Sequence, residues 1–261
     1  MFKLVTPTKM SKSSNISALV LAAGKGTRMK SESPKVAVLL NGKPLISYVI
    51  DSLKKSGIEQ IYVVVGYKKE EVMDILKNYT GLHFIEQKEQ LGTGHAVLCA
   101  EQELQEFKGS VLVCCGDVPM ISSDSFSKLL ELHAKEENNT TVLSAEVPNP
   151  KGYGRLLRDS KGKLLSIVEE KDASDIEKQV KEINTGTYVF ESPAVFKNLK
   201  SINTQNAQNE YYLPDLVKVC NSQNLKTSSL ILSNSLESTG VNSPEDLKYL
   251  ETLISEGRLI A

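Results

Sequence analysis

At 261 residues, with 40% hydrophobic and 24% charged residues, the chain has the size and makeup of a globular protein that buries a substantial core. Its 31 Lys and Arg nearly balance 32 Asp and Glu, for a net charge of −1. No global field therefore draws it to nucleic acid or to an anionic membrane, and any phosphate site must be built locally.

Residues 1–15 are polar and basic, without the apolar stretch of a secretion signal, and read as a mobile leader in which Met10 is a second candidate start. The remaining residues, 16–261, read as one domain. No apolar run is long enough for a membrane helix. Leu19 to Ala23 forms a first, buried strand, and behind it lies Gly24-Lys25-Gly26-Thr27-Arg28-Met29, with Pro34-Lys35 soon after. Two glycines let the backbone approach a ligand and expose N–H donors, and Arg28 and Lys35 supply fixed positive charge: a triphosphate needs both. This is neither a dinucleotide fingerprint, since Met29 stands where the third glycine belongs, nor a P-loop, whose Gly-Lys-Ser/Thr ending is absent.

Strands and helices then alternate. Leu45 to Lys55 is a helix with Leu45, Tyr48, Val49 and Leu53 on one face; Ile61 to Val65 is a strand, Glu70 to Asn78 a helix and Leu82 to Glu86 a strand. Gly94 to Phe107 reads as one helix, Val111 to Cys115 as a strand and Ser122 to Glu137 as a helix capped by serines and Asp124. Apolar strands separated by helices imply a parallel sheet covered on both faces.

After Thr140 the pattern changes. Thr141 to Val147, Arg155 to Arg158, Leu164 to Val168 and Ile183 to Phe190 read as strands, with Asp159-Ser160-Lys161-Gly162 as a hairpin tip. Helices over Pro193 to Leu199 and Tyr211 to Asn221 precede a strand near Ser229 to Leu232. Ser243-Pro244 opens a last helix, Pro244 to Leu259, with serine as cap and proline at the first position. The expected architecture is a Rossmann-like α/β fold, a mostly parallel sheet covered by helices, with a small β lobe over residues 140–235. The four cysteines (Cys99, Cys114, Cys115, Cys220) and three histidines (His83, His95, His133) show no metal-ligand spacing, so a reducing, cytoplasmic setting is expected.

In open α/β sheets ligands gather at the carboxyl ends of strands, so the loop after strand one and Gly116-Asp117 after Cys115 can line one crevice. Asp117 is the metal candidate and Asn242 its partner, since magnesium takes oxygen ligands and keeps waters or phosphates for the rest. Asp117 could instead cap a turn, and Asn242 the last helix. Gln87, Gln90 and Gly92-Thr93 suit the edge of a nucleobase, a glutamine amide being donor and acceptor at once, though Gly92-Thr93 could also cap a helix. Lys25 could reach the phosphates or point into solvent.

The segments Leu21 to Met29, Pro34-Lys35-Val36, Glu89 to Ala96, Gly116-Asp117-Val118-Pro119, Gly152-Tyr153-Gly154-Arg155, Ile167 to Asp172, Glu182 to Gly186 and Asn209 to Leu213 run in one order over nearly the whole chain. Together they resemble the sugar nucleotidyltransferases, and among them the bacterial N-acetylglucosamine-1-phosphate uridylyltransferases. The resemblance implies transfer of UMP from UTP to N-acetylglucosamine 1-phosphate with Mg2+, through attack of the sugar phosphate on the α-phosphorus. It implies Arg28 and Lys35 as catalytic cations, Ala22, Ala23, Gly24, Gly26, Gln87, Gly92 and Thr93 as nucleotide contacts, and Asp117 and Asn242 as metal ligands. Gly154, Glu169 and Asn184 would contact the sugar within the β lobe, with Tyr211 and Tyr212 as packing residues. Ala37-Val38, where Leu-His is common, and Cys115, where some members carry tyrosine, depart from the pattern near the sugar rather than at the phosphates. Two-function members continue into a β-helix with acetyltransferase activity, which a chain closing on one helix is expected to lack. Another sugar or polyol phosphate as acceptor, or a non-catalytic nucleotide-sugar regulator, are the competing readings. Oligomeric state is left open.

Overall fold

The computed structural model describes residues 15–29 and 32–260; apart from Asn15, the expected leader lies outside the described residues. In chain order the elements are β1 (Ile16–Ala22), β2 (Leu39–Leu40), β3 (Lys43–Pro44), α1 (Leu45–Lys55), β4 (Gln60–Val65), α2 (Lys69–Leu76) and β5 (Leu82–Glu86). Then follow α3 (Thr93–Leu98), α4 (Glu101–Leu104), β6 (Gly109–Cys115), α5 (Ser123–Glu136), β7 (Thr140–Glu146), β8 (Arg155–Arg158) and β9 (Leu164–Val168). The chain closes with β10 (Glu182–Ser192), α6 (Ala194–Leu199), α7 (Asp215–Ser222), β11 (Thr227–Ile231) and α8 (Pro244–Ser255).

One nine-stranded sheet organises the fold, in the order β11-β7-β10-β6-β1-β4-β5, with the β8–β9 hairpin attached through β10. β1 pairs in parallel with β4 on one side and β6 on the other. The chain therefore winds outward through β4 and β5, then crosses back to lay β6 against β1. That reversal opens a crevice beyond the carboxyl ends of β1 and β6. β10 runs antiparallel to both β6 and β7. The sheet is thus mostly parallel, as the alternation implied, but mixed at β10, whose amino-terminal end lies at the carboxyl ends of its neighbours.

Residues alternate faces along a strand, and β1 shows it. Ala18, Val20 and Ala22 join a buried cluster with Ile46, Ile50 and Leu53 of α1, Val72 and Leu76 of α2 and Phe126 and Leu129 of α5. Leu19 faces the other way, into a cluster with Val97 of α3, Phe196 of α6 and Leu216 of α7. Both faces are covered, as expected for a sheet whose strands are apolar throughout. A third, smaller cluster packs Leu250 and Leu253 of α8 onto Met29, Leu40, Leu45 and Tyr48, and so fixes the last helix to the segment following the glycine loop.

Several expected helices differ in extent. The helix expected over Gly94 to Phe107 is broken at Cys99 and Ala100 into α3 and α4, because the buried Ala100 turns the chain to seat Leu104 in the second cluster. The helix expected from Tyr211 begins only at Asp215, after Pro214, and the segment before it instead bonds to the loop ahead of α3, with Tyr211 N donating to Leu91 O and Gly94 N to Tyr211 O, both at 2.8 Å. The final helix ends at Ser255, four residues short of Leu259. All four cysteines are free thiols, and among the described residues no helix is long and apolar enough to cross a membrane.

Leu53 is fully buried between α1 and the sheet. Leu53→Ala should lower unfolding stability by about 2–5 kcal/mol, read as a lower urea midpoint at unchanged slope.

Candidate functional site

The crevice has two connected chambers. One, of about 260 Å3, is walled by Ala22, Ala23, Gly24, Gln87, Gly92 and Thr93, among others. The second, of about 200 Å3, is walled by Tyr153, Gly154, Glu169, Asn184, Tyr188 and Asn242, among others. Leu21, Thr93, Cys115 and Asp117 line both. The residues expected to contact ligand, other than Lys25, Gly26 and Arg28, thus border these two chambers.

At the junction, Lys35 forms an ion pair with Asp117 and donates from Nζ to Asn242 Oδ1 at 2.9 Å. Arg28 donates to the same oxygen at 3.0 Å. Four side chains from three distant segments meet here for local reasons. Gly116 N donates to Leu21 O, which holds the turn carrying Asp117 against the end of β1. Gly26 has a positive φ of 68° and lies where a Cβ would fall 2.5 Å from Lys35 Cβ, so only glycine lets the lysine cross the loop there. Val241 N donates to Asp117 O at 2.9 Å, placing Asn242 beside the carboxylate. The α8 cap is Ser243 in a capping box with Asp246, so Asn242 is not the cap and its amide is left to the crevice.

The pair of oxygens fits a hard divalent cation. Asp117 offers a carboxylate and Asn242 an amide oxygen, and one ammonium already sits between them as a stand-in for positive charge. Among the described residues no group of three or more His, Cys, Asp or Glu forms a complete cage, so an ion here would need phosphate oxygens or water to fill its shell.

In the first chamber Gln87 is buried, with Nε2 3.2 Å from Gly92 O and 3.0 Å from His95 Nδ1. Its amide N–H groups are engaged within the protein, leaving Oε1 as the group it can present. Gln90 Nε2 donates to Gln87 O, and Tyr67 N to Ala23 O, so the two walls of the chamber are tied to the sheet. Gly92 is the residue before α3, at φ 106°, pressed so close to Tyr211 that a Cβ would meet its carbonyl at 2.7 Å. Thr93 Oγ1 accepts from Leu213 N at 3.1 Å and does not cap its helix. Gly24 lines the opening with no heavy atom within 4 Å of where its Cβ would be, whereas Lys25 is exposed and points over the Tyr67 ring at 5.3 Å.

In the second chamber β10 contributes Asn184, whose N–H donates to Gly154 O and whose Oδ1 accepts from Gly186 N at 3.0 Å across a bulge. Gly154 lies close against this wall, since a Cβ there would fall 3.1 Å from Glu169 Oε1 and 3.2 Å from Ile167 Cγ2. Burial pushes the Glu169 carboxyl up to about 7, with Asp215 and Asp172 adding to the rise, Arg155 opposing it and Glu210 adding a little. Burial and Asp117 push the Cys115 thiol up to about 12, so it serves as a small neutral wall. Tyr212 is buried and its hydroxyl donates to Asp172 at 3.2 Å, consistent with packing rather than ligand contact.

Sequence reading missed Tyr153, Tyr188 and Glu210 as chamber walls. Tyr188 reads in the sequence as one more apolar position of a strand. Its hydroxyl is buried without a hydrogen bond, and burial holds it well above the usual tyrosine range.

The chain matches the family model described as nucleotidyl transferase over residues 17–234. It is 45% identical over 237 residues to the bifunctional protein GlmU of Streptococcus gordonii, covering 91% of this chain and 51% of that one. It is 47% identical over 225 residues to the bifunctional protein GlmU of Streptococcus agalactiae, covering 86% and 49%. The chain spans about half the length of these curated relatives. The fold is that of a UDP-glucose pyrophosphorylase solved with UDP-glucose, at a TM-score of 0.76 and 20% identity, covering 93% of this chain and 99% of that one.

A carboxyl that keeps its proton to about 7 in the folded chain, against 4.5 normally, makes the native state bind more protons between those values. Stability from this group is full below about 4.5 and is lost as pH rises to about 7. Glu169→Gln should flatten that decline and raise the urea midpoint relative to wild type at pH 8; a parallel pH course in both proteins would contradict the burial argument.

Proposed function

The chain belongs to the nucleotidyl transferase family, and from that premise we propose that it transfers UMP from UTP to N-acetylglucosamine 1-phosphate, releasing pyrophosphate. The observation that carries the reading is the meeting of Arg28, Lys35, Asp117 and Asn242 at the junction of two chambers. A nucleotide in one chamber and a sugar phosphate in the other would bring their phosphates together at that point. The high identity to relatives named for GlmU supports the amino sugar over other acceptors, and the reaction is expected in the cytoplasm.

In this reading the base lies against Ala22, Ala23, Gly92 and Thr93, and Gln87 Oε1 accepts from the imide N–H of uracil. Backbone N–H groups at Gly24 and Gly26 face the phosphate tail. Gly154, Glu169 and Asn184 hold the sugar, with the carboxylate and amide suited to its hydroxyls. Asp117 and Asn242 would hold Mg2+, which supplies Lewis-acid charge neutralisation on the phosphate oxygens. Lys35 and Arg28, which share Asn242 Oδ1, would stand beside the phosphates. A sugar-phosphate oxygen forms the new bond to the α-phosphorus as the bond to the bridging oxygen breaks, and its electron pair leaves with pyrophosphate. The chain needs no nucleophile of its own; its contribution is alignment and stabilisation of charge at the transferred group.

Pyrophosphate release should require UTP, N-acetylglucosamine 1-phosphate and Mg2+ together, and a panel of other nucleotides and sugar phosphates should turn over far more slowly. Lys35→Ala should reduce kcat by roughly 10²–10³-fold, the range for losing one preorganised charge-stabilising donor, with the fold intact by circular dichroism. Tight UDP-sugar binding without turnover of any acceptor would favour a regulator instead.

A further inference from the structure

We infer that Arg155 is a positioning residue of the acceptor chamber, holding the turn at Gly154 and the Glu169 carboxylate in the geometry that receives the sugar; this rests on the function proposed above. Arg155 is 1% exposed and is the bulkiest of the fully buried side chains. One terminal nitrogen donates to the Tyr153 carbonyl, within the turn ahead of β8, and the other to Glu170 Oε2 at 2.6 Å. The residue therefore clamps the backbone next to Gly154 to the side chain next to Glu169.

Its backbone stands at the same junction. Arg155 pairs with Val168 of β9 and with Ile183 of β10. One residue beyond each of these three positions lie Gly154, Glu169 and Asn184, the three residues assigned to the sugar. A small shift at Arg155 would move all three together.

The charge environment points the same way. Glu169 faces Asp172 from its own turn, Asp215 from α7 and Glu210 from the segment before it, with the neutral Tyr188, Cys115 and Tyr212 around them. Lys218 acts on Asp215 from α7. Arg155 is the cation that draws Glu169 back toward ionisation. Its Nε is buried without a partner, and an apolar residue of similar volume would fill the space without that cost, so packing alone gives no reason for arginine.

The test compares Arg155→Met, Arg155→Lys and Glu170→Gln with wild type in the same pyrophosphate-release assay. Arg155→Met should raise KM for the sugar phosphate about ten- to a hundredfold while KM for UTP holds. The acid limb of kcat/KM for the acceptor should move to higher pH in that variant, because the opposing cation is lost, and stay in place in Arg155→Lys. Glu170→Gln leaves the Arg155 cation in place while replacing its ionic anchor with a neutral one, so it should raise acceptor KM without moving the limb. Equal rises in both KM values, or an unmoved acid limb in a folded Arg155→Met protein, would overturn the inference. Should the methionine variant fail to fold, unchanged acceptor KM in both other variants would overturn it. A wild-type protein inactive on every sugar phosphate defeats the proposed function and this inference together, whereas an active wild type with unaffected variants defeats this inference alone.

Discussion

A single ammonium, that of Lys35, sits between the carboxylate of Asp117 and the amide oxygen of Asn242, and the layout of the crevice depends on that contact. It joins the loop after β1, the turn after β6 and the segment before α8. None of these would hold its side chain in place alone, because each is a connection rather than a regular element. The contact is only partly shielded, with side-chain exposures of 17% and 18%, so it can be exchanged for a ligand rather than buried for good. Cations that rest on these oxygens stand near the place where phosphate charge would arrive in the proposed reaction.

The sheet supplies the two chambers by different means. The first chamber follows from the reversal between β4 and β6 on either side of β1, which opens a crevice in doubly wound sheets generally. The second chamber needs β10, inserted antiparallel between β6 and β7 so that its first residues emerge beside Cys115 and Asp117. The bulge between Asn184 and Thr187 then turns Asn184 inward. From the same end of β10 the β8–β9 hairpin hangs, carrying Gly154 and Glu169. A strand inserted late in the chain thus completes a site begun by its first strand.

Electrostatically the two chambers are opposites. Arg28 and Lys35 stand at the junction, whereas Glu169 borders the second chamber with Asp172, Asp215 and Glu210 acting on it from nearby. A sugar phosphate entering between them would orient with its anion toward the cations and its hydroxyls toward the carboxylates. Burial, with these neighbouring carboxylates, raises Glu169 toward neutrality.

Much of this was legible in the residues. Strands β5, β8 and β9 and helix α1 keep their expected limits, since apolar periodicity and turn residues bound them locally. The glycine loop, Asp117 after an apolar strand and the Ser243-Pro244 cap could likewise be read, because each is a short-range pattern with a local physical cause. The break between α3 and α4, the late start of α7 and the antiparallel entry of β10 could not, because each answers to a distant partner: the second core cluster, the loop at Leu91 and the edges of β6 and β7. Nor could Tyr188 be told from an ordinary strand residue, or Arg155 from a surface cation. The amino-acid sequence alone determined which groups were available and on which elements they would sit, since helix and strand preferences act over a few residues. Only the tertiary structure decided that Arg28, Lys35, Asp117 and Asn242 share one oxygen-lined corner, because that requires α8 to pack Leu250 and Leu253 against Met29 and Leu40 from the opposite end of the chain.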